Sequence, residues 1–219
     1  MTRHRKSAIV FDLDGTLLNT LRDLADSVNA MLERFGYPTH PLDDYRMFVG
    51  EGAAQLVERA LPPEKREADT VRECLQVYGE IYDQSWSATT VPYPGVPELL
   101  DALTHRQRKL TILTNKPDDF TQKCVSEFLG RWKFELVLGQ RENIPRKPDP
   151  AGAREVIRQL NVPPEEFLYL GDSGTDMRTA NAAGLFAVGA LWGYRAEQEL
   201  LATGAQALIS QPIELLKYL

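Results

Sequence analysis

Six short runs of apolar, β-prone residues constrain this chain more than any other feature. They are Ala8–Phe11, Leu110–Leu113, Phe134–Leu138, Phe167–Leu170, Leu185–Val188 and Ala207–Ile209. Each run is continuous rather than alternating, so a strand made from it must be covered on both faces. Helical patterns lie between them, and three carry start signals. Pro97 precedes an apolar face of Leu99, Leu100 and Leu103. Pro117 precedes Phe120, Cys124, Val125 and Phe128, with Gly130 just past the end, and Pro150 precedes Ala153, Val156, Ile157 and Leu160. Strands alternating with helices in this way predict an α/β fold, a doubly wound parallel sheet.

The first gap breaks the rhythm, because between the first run and the second no good strand run appears. Leu17, Leu21, Leu24, Val28, Met31 and Phe35 recur at spacings of four and three, an amphipathic helix that Gly36 ends. Further helices are expected over Ala53–Leu61, before Pro62 and Pro63, and over about Glu64–Trp86, with Val71, Leu75, Tyr78 and Tyr82 on one side. Val91 to Pro97, rich in proline and glycine, is a stiff return to the sheet. The expected organisation is a Rossmann-like core of residues 1–16 and 91–219, with a helical cap domain, 17–90, inserted after the first strand. Phe35 and Met31 are expected to pack inside that cap.

A length of 219 residues suits such a core with a small accessory domain. The net charge of −6 argues against nucleic acid or an anionic membrane as the main partner. Two cysteines, Cys74 and Cys124, make no disulfide framework and fit a reducing cytosol; both are expected to be packing residues. The basic start through Lys6 is followed by an apolar run too short for a signal core, and no stretch is long enough to span a bilayer. A soluble, cytoplasmic protein, monomeric or homodimeric, is expected. His4, His40 and His105 have no ligand spacing, and Trp86, Trp132 and Trp192 show no stacking pattern with basic residues.

Four polar clusters fall at or just beyond strand ends: Asp12 and Asp14; Thr114 and Asn115; Arg146, Lys147 and Pro148; and Gly171, Asp172 and Asp176. In open α/β sheets that is where ligands bind. Each cluster alone has a plain reading. Asp12 and Asp14 suit a polar strand end, Thr114 and Asn115 an N-cap before Pro117, Lys147 a solvated charge, and Asp176 a helix cap. Four in succession, each after an expected strand, are hard to attribute to capping. Asp12, Asp14, Asp172 and Asp176 brought together would repel, at about 4 kcal/mol per pair 4 Å apart in an effective dielectric of 20. A hard divalent cation resolves this, and Mg²⁺ suits carboxylates, waters and a phosphate oxygen. With Lys147 it would admit a dianionic phosphate, while Pro148 biases Lys147 toward extended backbone.

Phosphate monoesters hydrolyse so slowly that enzymes reach rate factors of up to ~10²¹. An aspartyl-phosphate intermediate divides that barrier. Asp12 would attack phosphorus, and Asp14 would protonate the leaving alcohol and then activate water. Lys147 and the metal would stabilise the equatorial oxygens, and Thr114 with the Asn115 amide or backbone N–H would hold the phosphoryl group.

These residues resemble the haloacid dehalogenase superfamily of phosphohydrolases. Phe11 to Leu17 is similar to its nucleophile motif, Leu113 to Pro117 to its phosphate-binding motif, Arg146 to Pro150 to its lysine motif and Gly171 to Asp176 to its acidic metal motif. The inserted helices resemble its helical cap. The resemblance implies Mg²⁺ held by the Asp12 side chain, the Asp14 backbone carbonyl and Asp172, with Asp176 supporting it directly or through water. Phe48 to Leu61, Thr114 to Pro117 and Leu191 to Tyr194 are most similar to phosphoglycolate phosphatases. That implies hydrolysis of a small phosphorylated metabolite, 2-phosphoglycolate to glycolate and phosphate, with Gly50, Glu51 and Gly52 of the cap near the substrate. Gly50 and Gly52 would let backbone approach a small ligand; their plain reading is a helix-start turn.

A phosphosugar mutase would use the same core. A haloacid dehalogenase needs neither a leaving-group acid nor Mg²⁺, which Asp14 and Asp172 disfavour. A phospho-acceptor signalling module or a binding protein is a different class; the motif order and the inserted lid argue against the first, and the intact acids against the second.

Overall fold

Side chains along Ala8–Phe11 alternate across the sheet, Ala8 and Val10 to one face and Ile9 and Phe11 to the other, and all four are fully buried. A strand buried on both faces needs helices on both sides, and the computed structural model, which describes residues 6–219, has them. His4 and the basic residues before Lys6 lie outside the described residues. In chain order come β1 (Ala8–Phe11), β2 (Leu18–Asn19), α1 (Leu21–Arg34), α2 (Tyr45–Phe48), α3 (Ala53–Ala60), α4 (Ala68–Ser85), β3 (Val91–Pro92) and α5 (Val96–His105). They continue with β4 (Lys109–Pro117), α6 (Asp118–Leu129), β5 (Leu136–Gln140), α7 (Ala151–Leu160), β6 (Phe167–Gly171), α8 (Gly174–Ala182), β7 (Phe186–Ala190), α9 (Glu197–Ala202) and β8 (Ala207–Ile209).

The main sheet has the order β5-β4-β1-β6-β7-β8, and every pairing in it is parallel. This is the expected α/β architecture. Phe11 pairs with Ile112 on one side and Leu170 on the other, so the polar residues beyond β1, β4 and β6 emerge at one level. The connection from β5 to β6 crosses β1, which puts the switch in strand order at β1's C-terminal end, where such sheets bind ligands. Leu99, Leu100 and Leu103 of α5 and Cys124 and Leu129 of α6 cover the face of Ile9 and Phe11. Ala153 and Val156 of α7 and Met177 and Ala180 of α8 cover the other.

Helices α1–α4 pack around a second cluster that includes Leu24, Val28, Met31, Tyr45, Val57, Cys74, Tyr78 and Tyr82, which Tyr194 joins from beyond β7, with Phe35 partly buried against it. Leu17 and Leu18 instead belong to the sheet's cluster. The stretch expected to hold no strand contains a two-residue antiparallel ribbon, Leu18 against Pro92 and Asn19 against Val91. It is too short to leave a hydrophobic pattern, and it binds the outgoing chain to the returning one. Just past it, buried Asp23 accepts hydrogen bonds from the backbone N–H and hydroxyl of both Thr89 and Thr90, at 2.6–3.1 Å. The third expected cap helix starts later than Glu64: a 3-10 turn, Pro63–Lys65, precedes α4. Among the described residues no helix is long and apolar enough to cross a membrane. Cys74 and Cys124 are buried and unpaired as disulfides.

Candidate active site

Past Phe11 the chain turns at once. The N–H groups of Thr16, Leu17 and Leu18 converge on the Leu13 carbonyl, and Gly15 adopts φ +84°, which a side chain would strain. The tight loop holds Asp12 at the floor of a cleft and Asp14 on its wall. Asp12 is 7 % exposed; its Oδ1 accepts from the Leu13 N–H at 2.7 Å and lies 2.9 Å from Lys147 Nζ. Lys147, read alone as a surface charge, is 5 % exposed. Its ammonium bridges Asp12 and Asp176, the latter at 2.7 Å.

Asp176 caps a helix and also reaches Lys147. It is the N3 residue of α8 in a capping box with Ser173, its Oδ2 accepting the Ser173 N–H at 3.1 Å and hydroxyl at 2.6 Å. Its Oδ1 takes Lys147 and the Tyr169 hydroxyl. Asp172 is fixed differently: Thr16 Oγ1 donates to Oδ1 at 3.1 Å, and the Tyr194 N–H to Oδ2 at 2.7 Å. A Cβ on Gly15 or on Gly193 would press into its carboxylate, so glycine is required on both sides. Trp192, between these groups and the sheet, donates its indole N–H to the Thr16 carbonyl at 3.0 Å. The Leu191–Tyr194 stretch therefore braces the loop after β1 and Asp172 together.

Oxygens of Asp12, Asp172 and Asp176 lie within 4.8 Å of one another, all buried. Burial, then the Asp176 charge, pushes the Asp12 carboxyl up to about 7 against the pull of Lys147. Burial, then Asp176 and Asp12, pushes Asp172 up to about 8. Burial disfavours the Lys147 charge, but Asp12 and Asp176 overcome it and hold that group well above the usual lysine range. Three buried acids stand around one ammonium that only Asp12 and Asp176 contact, an excess of acids in a hard-oxygen donor set that fits a divalent cation.

The phosphate-binding candidates sit elsewhere than an N-cap reading predicts. Thr114 and Asn115 are the buried end of β4, and Pro117 caps α6 without side-chain help. The Asn115 carboxamide donates to the carbonyls of Gly50 and Lys147, both at 3.0 Å, and accepts from the Lys147 N–H at 2.9 Å. It holds three segments in register: β4, the Lys147 loop and the cap loop. Lys147 precedes a cis peptide to Pro148.

Gly50 and Gly52 have φ +120° and +90° and line a cavity of about 320 Å³ between cap and sheet. Asp12, Asp14, Thr114 and Asn115 form its polar end, and Leu56, Leu75 and Tyr78 its apolar cap wall. Glu51 turns to Arg59, 2.6 Å away, and is not part of the lining. Two arginines tie this region to the segment after β7: Arg195 donates to the Val49 carbonyl at 2.8 Å, and Arg46 of α2 to that of Gly193 at 3.0 Å.

One residue of this site carried no role in the sequence pattern. Lys116, 5 % exposed, contacts both oxygens of Asp14 at 3.1 and 3.2 Å and donates to Tyr82 of α4 at 2.8 Å. Burial opposes its charge, but Asp14 and Tyr82 hold it well above the usual lysine range. Its place inside Leu113–Pro117 was the available signal; its partners are 34 and 102 residues away in sequence.

Residues 9–190 match the family model described as haloacid dehalogenase-like hydrolase. A phosphoglycolate phosphatase of Psychrobacter arcticus is 36% identical over 201 residues, 89% of this chain and 87% of that protein. One from Pseudomonas syringae pv. tomato is 38% identical over 191 residues, 85% of this chain and 70% of that protein. The solved structure of a predicted phosphoglycolate phosphatase from Haemophilus somnus superposes with a TM-score of 0.87 at 28% identity, covering 96% of each chain. With this match across the core strands, and the acids and lysine gathered at their ends, the chain belongs to the haloacid dehalogenase-like hydrolase family, as one of its phosphatases.

Proposed function

We propose that this phosphatase is Mg²⁺-dependent, works through an aspartyl-phosphate on Asp12, and hydrolyses 2-phosphoglycolate. The observation that carries the mechanism is the buried Asp12–Lys147–Asp176 arrangement, of which Asp12 lines the cavity. Both contacts of the Asp12 carboxylate fall on Oδ1, which leaves Oδ2 to attack phosphorus. Lys147 then balances charge on the phosphoryl oxygens, and Asp176, its own oxygens engaged by Lys147, Tyr169 and Ser173, keeps that ammonium aimed. The Asp12 side chain, the Asp14 carbonyl and Asp172 would hold Mg²⁺, with Asp176 in support; when bound, the ion neutralises charge on the transferring group.

Asp14 protonates the leaving oxygen and afterwards takes the proton of the attacking water. Because the Asn115 carboxamide is occupied, its backbone N–H and the Thr114 hydroxyl are the groups assigned to the phosphoryl oxygens. Residues 17–90 act as a cap over a core of 1–16 and 91–219, which the separate apolar cluster and the ribbon at its root support. Gly50 and Gly52 bring cap backbone to the ligand, and Glu51 serves the loop through Arg59. That the chain's relatives are phosphoglycolate phosphatases by name supports the substrate.

The test is a panel of phosphate esters led by 2-phosphoglycolate, assayed with Mg²⁺ and with EDTA. The expected result is that 2-phosphoglycolate gives the highest kcat/KM, with loss of turnover in EDTA that Mg²⁺ restores. Equal turnover in EDTA rules out the metal requirement, and a clear preference for another ester rules out the substrate.

A further inference from the structure

Two cations line the cavity, Lys116 and Arg146. Lys116 is already matched to Asp14. Arg146 is not matched: its side chain takes part in none of the ion pairs or hydrogen bonds among the described residues. An exposed arginine is ordinarily a solvated charge, but three observations set this one apart.

The first is placement. The Arg146 Nε and Cζ both lie 3.5 Å from the point where a Gly52 side chain would begin, and the Asn115 carbonyl lies 3.3 Å from the same point. The guanidinium therefore stands at the seam of cap loop and phosphoryl site, in space that Gly52, at φ +90°, leaves open.

The second is anchoring. Backbone on both sides of the side chain is pinned: the Lys147 N–H donates to Asn115, the Asp149 N–H to the Arg146 carbonyl, and Gln140 Nε2 to the carbonyls of Arg141 and Ile144. A fixed root with an unengaged fork is suited to being ordered by ligand.

The third is charge. Opposite the phosphoryl end the cap wall is apolar, Leu56, Leu75 and Tyr78, and a carboxylate left against it would be unpaired at high cost. Glu51, the nearby acid, is held by Arg59 and does not compete for Arg146.

We propose that Arg146 binds the substrate's second anionic group, a carboxylate close to the phosphate, through its planar fork. The assignment rests on the phosphoglycolate reading above and makes Arg146 the residue that separates carboxylate-bearing phosphate esters from those of the same length that lack the carboxylate.

The test compares 2-phosphoglycolate with ethyl phosphate, which has the same carbon count and no carboxylate, in the wild type, Arg146→Ala and Arg146→Lys. The expected wild type prefers 2-phosphoglycolate. In Arg146→Ala the ratio of the two kcat/KM values falls by roughly 10- to 100-fold, the range of a charged hydrogen bond. The loss falls on the carboxylate-bearing ester and shows as a raised KM more than a lowered kcat. Arg146→Lys, which keeps the charge without the fork, restores part of the ratio. A ratio within twofold of wild type in Arg146→Ala overturns the assignment while leaving the phosphoglycolate reading intact. A wild type with no preference overturns the reading and the assignment with it. Circular dichroism and the Tm of each variant confirm that the fold is retained.

Discussion

Asp12 and Asp14 are two residues apart and have different surroundings. Asp12 shares the Lys147 ammonium with Asp176 below the cavity, while Asp14 faces Lys116, which Tyr82 holds from the cap. Their replacement should therefore give different phenotypes. Asp12→Asn removes the attacking oxygen with almost no change in shape, and turnover of p-nitrophenyl phosphate should fall at least ~10³-fold with the circular dichroism spectrum unchanged. Activity near the parent's would sink the nucleophile assignment. Asp14→Asn should slow esters with alkoxide leaving groups roughly 10²- to 10⁴-fold, and p-nitrophenyl phosphate, whose leaving group needs little protonation, far less. Equal losses on both would remove Asp14 from the acid's role.

Asp172 offers a third measurement at this scale, by linkage. Its carboxyl rises from an ordinary 3.8 to about 8 in the folded chain, and that of Asp12 rises to about 7. Between the ordinary value and these, the metal-free native state binds more protons than the unfolded chain. Its stability is therefore fully present at low pH and falls as pH rises toward 8. A cation that requires ionised carboxylates has the opposite dependence. One fixed Mg²⁺ concentration, about 100 times the Kd at pH 8.5, should add about 2.7 kcal/mol there, seen as a Tm increase of roughly 5–10 °C for a chain of this size. That increase should be larger at pH 8.5 than at pH 5.5; equal increments at both would show that these carboxylates do not carry the ion.

Among the elements, the strands of the main sheet were readable because each is a short apolar run with a helical pattern on either side. Ala8–Phe11 and Ala207–Ile209 have the expected bounds. Others are displaced toward their C-terminal ends: β4 continues through polar Thr114, Asn115 and Lys116 to Pro117, which pairs with Gln140 after a shift of register. Hydrophobicity stops there before the hydrogen bonding does. The ribbon of Leu18–Asn19 with Val91–Pro92 was invisible for a related reason, since two residues hold no period and their pairing depends on where α1 begins and α4 ends. The Lys116–Asp14–Tyr82 contact belongs to the same class, a meeting of residues that no local pattern announces. The glycines show the converse. Gly193 looked like part of a family signature, and its physical role, room for Asp172, became readable only with both segments in place. Gly193→Ala should lose on the order of 1–3 kcal/mol to overpacking and weaken Mg²⁺ binding. Urea denaturation and metal titration of the same sample measure both, and an unchanged metal affinity would count against the crowding argument. At the ribbon, Asp23→Ala orphans the N–H groups of Thr89 and Thr90 and should destabilise by about 3 kcal/mol in urea; a loss under about 0.5 kcal/mol would show that water replaces the carboxylate.

At the scale of the whole molecule, the place of β1 has a consequence for the order in which the structure is made. It lies in the interior of the sheet, between β4 and β6, with Ala8 beside Lys109 on one side and Phe167 on the other. Emerging from a ribosome, the first strand has no neighbour until the cap helices and α5 have followed it out, and no second neighbour until α7 has. Helices α1–α4 are contiguous in the chain, with its outgoing and returning segments joined at the β2–β3 ribbon, so most of their cluster closes from local sequence while the sheet awaits long-range pairing. The strand that leads into Asp12 is thus synthesised before either of its neighbours and completed late, and that carboxylate enters its buried setting only when more than three quarters of the chain exists.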